Sequence, residues 1–549
     1  MKEAVMQRFL SIRSFANLET IWFVAVFGLS MIPKIISSVN GVIDPFTYSP
    51  MAVAQASLDS QRILIHPGIF EPGTGNFDTH AYFISERAAV TTILATVSIV
   101  TGLPVSSFRF MPVNGIILII LSYVLARVFT KSKLASGVFT IFVSYDPDIN
   151  QLAYNVSYVG FGFSLFLVFV ILLLKTLKSQ DFFVRGVILL MMTFVATYFT
   201  YYTSEIDIVV LMIGITACLF VLRSSVHSAT RTRSLAGLSL AFAMIFVMFD
   251  RIFYDNFARV AGMAAVPFLI NYAFYVRSLF FLGETGVRGP SAFETSTQYI
   301  GLMVYGLILI PVAFYTLSVL IHYLRTRKRN AGSLDASKVV YLSLLFPWLI
   351  EIFGYGSRGK IPFKYILLVF SLLSVFTITR LRVRRADLAR AARLLKLSLL
   401  CLLVILSMAK FGAWFVDPKL GYTGAPTGPV CSMASIVSHG TTLTDLDTGG
   451  LLLMELTQNQ KISKAHVSAF SADTINFLHE NDSERAGELF RVNGLSYLVL
   501  SRQDVAHSVP GFDWVDADPL AEAFLYPDGY TNFVRICSDE QFVVYGFTG

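Results

Sequence analysis

The feature that most constrains this chain is its succession of apolar runs close to the length of a membrane span. A helix crossing a bilayer needs about 20 mostly apolar residues. Runs of that kind cover Thr20–Ile36, Phe110–Phe129, Leu134–Tyr145, Ser157–Leu174, Phe182–Tyr202, Ile206–Leu222, Leu235–Phe249, Tyr299–Tyr323, Val339–Phe353, Ile361–Ile378 and Leu397–Val416. They predict an α-helical polytopic membrane protein of about 11 spans. Only 14% of the residues are charged and 55% are hydrophobic, against roughly 25% charged in a soluble domain, which excludes an ordinary soluble enzyme. The first run is interrupted by Pro33 and Lys34 and no small-residue cleavage site follows it, so a retained span is expected there and not a signal peptide.

Orientation follows from the basic residues. The stretch Ala88–Leu103 is rich in Thr and Ser and follows Glu86-Arg87. If it crossed the membrane, the later basic clusters would fall on the opposite side from Lys2, Arg8 and Arg13. Those clusters are Arg223/Arg231/Arg233, Arg325/Arg327/Lys328/Arg329 and the run from Arg380 to Lys396. Read as a juxtamembrane helix, it leaves every cluster on the N-terminal side, as the positive-inside rule requires. The expected topology has the N-terminus in the cytoplasm and residues 417–549 outside. The inner side then holds 24 Lys/Arg and 5 Asp/Glu, and the remainder 19 and 31. The overall charge of +7 is an orientation signal and gives no indication of nucleic acid.

Two units are expected: a transmembrane region, 1–416, with a large first external loop, 37–109, and a small extracytoplasmic α/β domain, 417–549. The boundary is marked by the Gly/Pro-rich LGYTGAPTGPV after Val416. Within the second unit, Asp482–Val492 reads as a helix stopped by Gly494, Leu495–Ser501 as a strand, and Asn532–Cys537 with Gln541–Gly546 as a hairpin. Its 17 acidic and 7 basic residues disfavour anionic partners. Cys431 and Cys537 are either bridged in an oxidising space or two separate thiols. No CxxC spacing marks a metal.

The candidate chemistry lies in the outer loops. Asp44, in GVIDPFTYSP, stands eight residues past the first span. A carboxylate partly desolvated at the membrane surface can act as a general base; Asp-Pro also simply opens turns. Asp78, His80, Glu86 and Arg87 in FDTHAYFISER precede the juxtamembrane helix and could face a lipid headgroup, or cap and solvate that helix's start. Arg358 and Lys360 in GYGSRGKIPFK can offer charge-assisted bonds to a phosphate, or form a positive turn against headgroups. Glu205, behind Tyr201-Tyr202 in an expected tight turn, could contact a sugar hydroxyl, although span-end aromatics also simply form an interface belt; Asp250, in FDRIFYDNF, is a second candidate substrate-binding acid, and Asp146 and Asp148 are further outer acids.

These elements together resemble the GT-C superfamily of integral-membrane glycosyltransferases. The shared features are a first span, an external loop opening on an acid (Asp44), and an apolar juxtamembrane helix ending at Thr101-Gly102-Leu103-Pro104. A span closing on Ala126-Arg127, further spans and an external α/β domain complete the likeness. The resemblance implies inverting transfer of a sugar from a polyprenyl-phosphate or dolichyl-phosphate donor to a glycan, glycolipid or protein acceptor. Asp44 would be the general base, with Arg358 and Lys360 at the lipid phosphate. Membrane lipids are the surrounding partner. No cofactor is required, although paired carboxylates such as Asp44 and Asp78 could bind Mg²⁺ or Mn²⁺. Trp514 in GFDWVDAD does not reproduce the WWD-type motif of oligosaccharyltransferase catalytic subunits. His66-Pro67-Gly68 departs more mildly from the HPP-type element of protein O-mannosyltransferases, leaving a mannosyl donor open. The alternatives are a transporter or flippase, for which repeats and midspan ionisable residues are expected, and a polyprenyl-linked envelope-polymer ligase, for which the late loop Glu351–Lys360 is short.

Overall fold

The structure is a computed structural model that describes residues 2–39, 50–51, 54–55, 57–58, 61, 89–150, 157–200, 202–221, 229–249, 292–326, 336–345, 360–380, 386–416, 436–437, 440–444, 466–469, 483–492, 494–501, 532–538 and 542–549. Up to residue 416 the described residues are mainly helical: α1 (Lys2–Val39), α2 (Ala89–Thr101), α3 (Val113–Thr130), α4 (Lys133–Tyr145), α5 (Pro147–Asn150), α6 (Tyr158–Lys178) and α7 (Phe183–Tyr198). There follow α8 (Tyr202–Val221), α9 (Ala229–Phe249), α10 (Ala292–Thr326), α11 (Ala336–Ser343), α12 (Lys360–Arg380) and α13 (Ala386–Val416). Ten of the eleven apolar runs hold one of these helices over most of their length; of Val339–Phe353 only residues 339–345 are described, and α11 ends at Ser343. Among the described residues, Leu18–Ser37, Val113–Thr130, Val159–Lys178, Met303–Ile321 and Arg390–Ala413 are long and apolar enough to cross a membrane. Shorter apolar helices cover Lys133–Tyr145, Phe183–Tyr198, Thr232–Phe246 and Leu367–Arg380.

α4 shows why length alone misleads. Its 13 residues rise only about 20 Å, yet from Ala135 to Tyr145 every side chain is buried. It packs against α1, α3, α12 and α13 and forms the central post of the bundle. Gly137 lets the Trp22 ring lie against its backbone, and the Trp22 indole N–H donates to the Lys133 carbonyl at 3.1 Å. At the same end Glu19 accepts from Arg127 at 2.8 Å and lies 3.5 Å from Lys133, so α1 is tied to both α3 and α4. Two helix starts have a local cause. Ser132 caps α4 by accepting from Ala135 N–H, and Ser157 caps α6 by accepting from Gly160 N–H. α6 and α7 approach closely at Gly186, which faces Thr176.

The expected juxtamembrane helix is α2. Its turn follows the sequence: Gly102 takes the left-handed conformation (φ +70°) that ends helices, its N–H returns to the Ser98 carbonyl at 2.9 Å, and Pro104 prevents continuation. α2 is joined to the bundle where Ala89 N–H donates to the Phe199 carbonyl at 3.2 Å.

Residues after 440 form a five-stranded sheet in the order β2-β1-β3-β5-β4, with β1 (Thr441–Thr444), β2 (His466–Ala469), β3 (Tyr497–Ser501), β4 (Phe533–Ser538) and β5 (Phe542–Phe547). β2, β1 and β3 run parallel, and β3, β5 and β4 antiparallel. The expected helix is α14 (Ser483–Val492), which Gly494 follows with φ +62°. The expected hairpin is β4–β5, with Phe490 of α14 packed on Phe533 and Phe547. Cys537 lies on β4; Cys431, and therefore the bridge, falls outside the described residues.

Candidate functional site at the polar end of the bundle

Helix direction sorts the charges into two ends. Arg127, Lys131, Lys133, Lys175, Lys178, Arg380 and Lys396 lie where α3, α6 and α12 finish and α4, α7 and α13 begin. At the other end α1, α4 and α13 finish and α8 begins. There the structure buries Lys34 (0% exposed), Asp146 (0%), Glu205 (0%), Asp207 (2%) and Lys410 (5%).

The best-defined constellation at this end joins residues 264 positions apart. Lys410 Nζ donates to Asp146 Oδ2 at 3.0 Å. The second carboxylate oxygen of Asp146 accepts Ile149 N–H at 3.4 Å, which seats the single-turn α5 on the end of α4. The Lys410 ammonium also lies 5.3 Å from the centre of the Tyr305 ring on α10, a cation–π distance. The neighbouring Tyr145 donates to the Leu29 carbonyl at 3.2 Å and meets Phe411 edge to face. One node thus fastens α1, α4, α5, α10 and α13. Sequence reading placed Asp146 among the surface acids; the structure corrects this, because the lysine that neutralises it comes from inside the last span. Lys410 escaped notice for the same reason. An ionisable residue within an apolar run was the signal available.

Glu205 also needs correcting. It does not sit in a surface turn: the turn falls at Phe199-Thr200, and Ser204, Glu205 and Asp207 lie in the first two turns of α8 with their side chains buried. A carboxylate near a helix N-terminus is favoured by the helix dipole, which helps explain acids at this depth. Of the other predicted site residues, Asp44, Asp78, His80, Glu86, Arg87, Asp250 and Arg358 lie outside the described residues. Lys360 is described only as the first residue of α12. Among the described residues no group of three or more His, Cys, Asp or Glu could hold a metal ion.

Among the described residues the chain is a helical bundle with several helices long and apolar enough to cross a membrane, followed by a small C-terminal mixed sheet. The chain has the GT-C fold. Compared with solved structures, it is similar to the oligosaccharyltransferase of Archaeoglobus fulgidus tethered to an acceptor peptide with the NVT sequon. That likeness is 12% identical, covers 97% of this chain and 74% of the other, and has a TM-score of 0.55. The apo form of the same enzyme gives 12%, 92%, 72% and 0.54. The complex of archaeal AglB with an inhibitory peptide and a dolichol-phosphate gives 13%, 92%, 72% and 0.50. No protein-family model matches the chain, and no curated protein matches it by sequence.

Proposed function

We propose that this protein is a membrane glycosyltransferase that moves a sugar from a polyprenyl-phosphate or dolichyl-phosphate carrier to an envelope glycan, glycolipid or glycoprotein. The transfer takes place on the extracytoplasmic face. The observation that carries the reading is the GT-C fold shared with an archaeal oligosaccharyltransferase over more than nine tenths of this chain. The N-terminus is cytoplasmic and residues 417–549 are external in this reading, because that orientation puts the basic end of the bundle inside. The buried polar end, where α1 finishes and α12 begins, then faces outward.

In the mechanism proposed, Asp44 accepts the proton of the acceptor group as that group attacks the anomeric carbon, and the lipid phosphate leaves. Arg358 and Lys360 take up charge on the leaving phosphate, Arg358 through paired N–H donors. Glu205, Asp250 and the residues Asp78, His80, Glu86 and Arg87 contact donor or acceptor. The Asp146 carboxylate is committed to Lys410 and Ile149, so a divalent cation would be held by first-loop carboxylates such as Asp44 and Asp78. The absence of the WWD-type motif separates the acceptor from that of the oligosaccharyltransferases which share the fold.

The test is chemical. In a deletion strain, envelope glycans and lipid-linked sugars are compared by mass spectrometry, and the strain is complemented with wild type or Asp44→Asn. The expected outcome is loss of one sugar, accumulation of its lipid-linked donor, and rescue by wild type only, with Asp44→Asn present in the membrane at equal level. Full rescue by Asp44→Asn refutes the general base.

A further inference from the structure

The basic end of α12 and α13 carries more charge than orientation requires. Between Arg380 and Lys396 there are seven Lys/Arg and one acid, Asp387. One contact joins the two helices, and a second lies within the end of α12. Lys396 Nζ donates to the carbonyl of Thr379 at 3.3 Å, satisfying one of the orphan carbonyls that end α12. The Arg380 guanidinium lies 5.1 Å from the centre of the Phe376 ring. With the two helix ends pinned, Arg390 and Arg393 remain exposed on α13, one turn apart on the same face.

That face continues as apolar surface. Leu394 (60% exposed), Leu397 (45%), Cys401 and Ile405 (59%) follow the two arginines at helical spacing. From Arg393 to Ile405 the helix rises about 18 Å, close to the half-thickness of a hydrocarbon core of about 30 Å. An exposed pair of guanidinium groups above an apolar stripe of one-leaflet length matches one molecule: a lipid with an anionic headgroup and extended chains.

We propose that the α12–α13 hairpin is a binding site for an anionic membrane phospholipid. Its headgroup phosphate lies on Arg390 and Arg393, and one acyl chain lies along Leu394, Leu397, Cys401 and Ile405. The site is at the opposite end of the bundle from Asp146 and Lys410. It does not depend on the proposed transfer reaction.

The full-length protein, reconstituted in nanodiscs of phosphatidylcholine with one fifth phosphatidylglycerol, is re-extracted and its retained lipids are measured by native mass spectrometry. Wild type is expected to retain phosphatidylglycerol selectively, and Arg390→Gln/Arg393→Gln to lose about 25-fold of that preference, at roughly fivefold per surface charge. Arg390→Lys/Arg393→Lys should keep most of it. In the wild type alone, 1 M sodium chloride should abolish the preference and inorganic phosphate at 10 mM should leave it intact. Equal retention of both lipids by wild type, or unchanged selectivity in the Gln variant, would overturn the proposal. Displacement by inorganic phosphate would do the same, reducing the site to a general anion site.

Discussion

Lys410→Met is the most demanding test of the polar node. At 3.0 Å and an effective dielectric constant of about 20, the ion pair has roughly 5 kcal/mol of gross attraction. Much of that is offset by taking both ions out of water. The substitution keeps the volume and the apolar stem but removes the ammonium that neutralises the Asp146 carboxylate, which is 0% exposed. Removing one member of a buried pair typically costs about 3–5 kcal/mol, and that range is expected here. Asp146→Asn keeps an amide oxygen that can accept from the ammonium but removes its counter-charge, and should cost about 1–3 kcal/mol. The double variant Lys410→Met/Asp146→Asn buries no full charge at this position, so it should be more stable than the sum of the singles implies, by about 1–3 kcal/mol. The assay is reversible unfolding in mixed micelles by titration with a denaturing detergent, followed by tryptophan fluorescence. Trp22, at the α1–α4 contact, reports from the far end of the same helices. A Lys410→Met protein within about 0.5 kcal/mol of wild type, or strict additivity in the cycle, would refute the assignment of this pair as a buried fastening.

The other outcomes are as definite. Arg358→Gln/Lys360→Gln should raise the donor KM severalfold with a smaller change in kcat, measured with the lipid-linked sugar that accumulates in the deletion strain. An unchanged KM would assign that loop to headgroup contact. Gly186→Ala should destabilise the α6–α7 contact by about 1–3 kcal/mol. The new Cβ would overlap Thr176 Oγ1, whose hydroxyl is held on the Leu172 carbonyl at 2.8 Å. Gly186→Ala/Thr176→Ser should not relieve it, whereas Gly186→Ala/Thr176→Ala should, and the detergent titration separates the two.

Much of the architecture was legible because membranes impose a one-dimensional rule. Within lipid a backbone must satisfy its own hydrogen bonds, so an apolar run of sufficient length becomes a helix. The runs from Thr20–Ile36 to Leu397–Val416 accordingly hold α1 to α13, apart from the first-loop helix α2 and the short α5. The end of α2 is legible in Thr101-Gly102-Leu103-Pro104, since helix stops are local chemistry. Gly494 after α14 and the β4–β5 hairpin were read for the same reason. The proposed base, Asp44, rests on sequence position and on the family resemblance.

What the sequence could not supply was partnership. Asp146 and Glu205 were visible as acids near span ends, but burial depends on which helices pack over them. Lys410 lay unremarked in an apolar run because its partner is 264 residues away. The sequence by itself determined that this chain is a bundle of membrane helices with a polar appendage, and which end of that bundle is basic. Those properties follow from local hydrophobicity and charge. Only the tertiary structure decided that Asp146 and Lys410 form one buried pair, that the 13-residue α4 is the post around which α1, α3, α12 and α13 pack, and that Arg390 and Arg393 crown an exposed apolar stripe. Side-chain burial and pairing are set by neighbours that folding alone brings together.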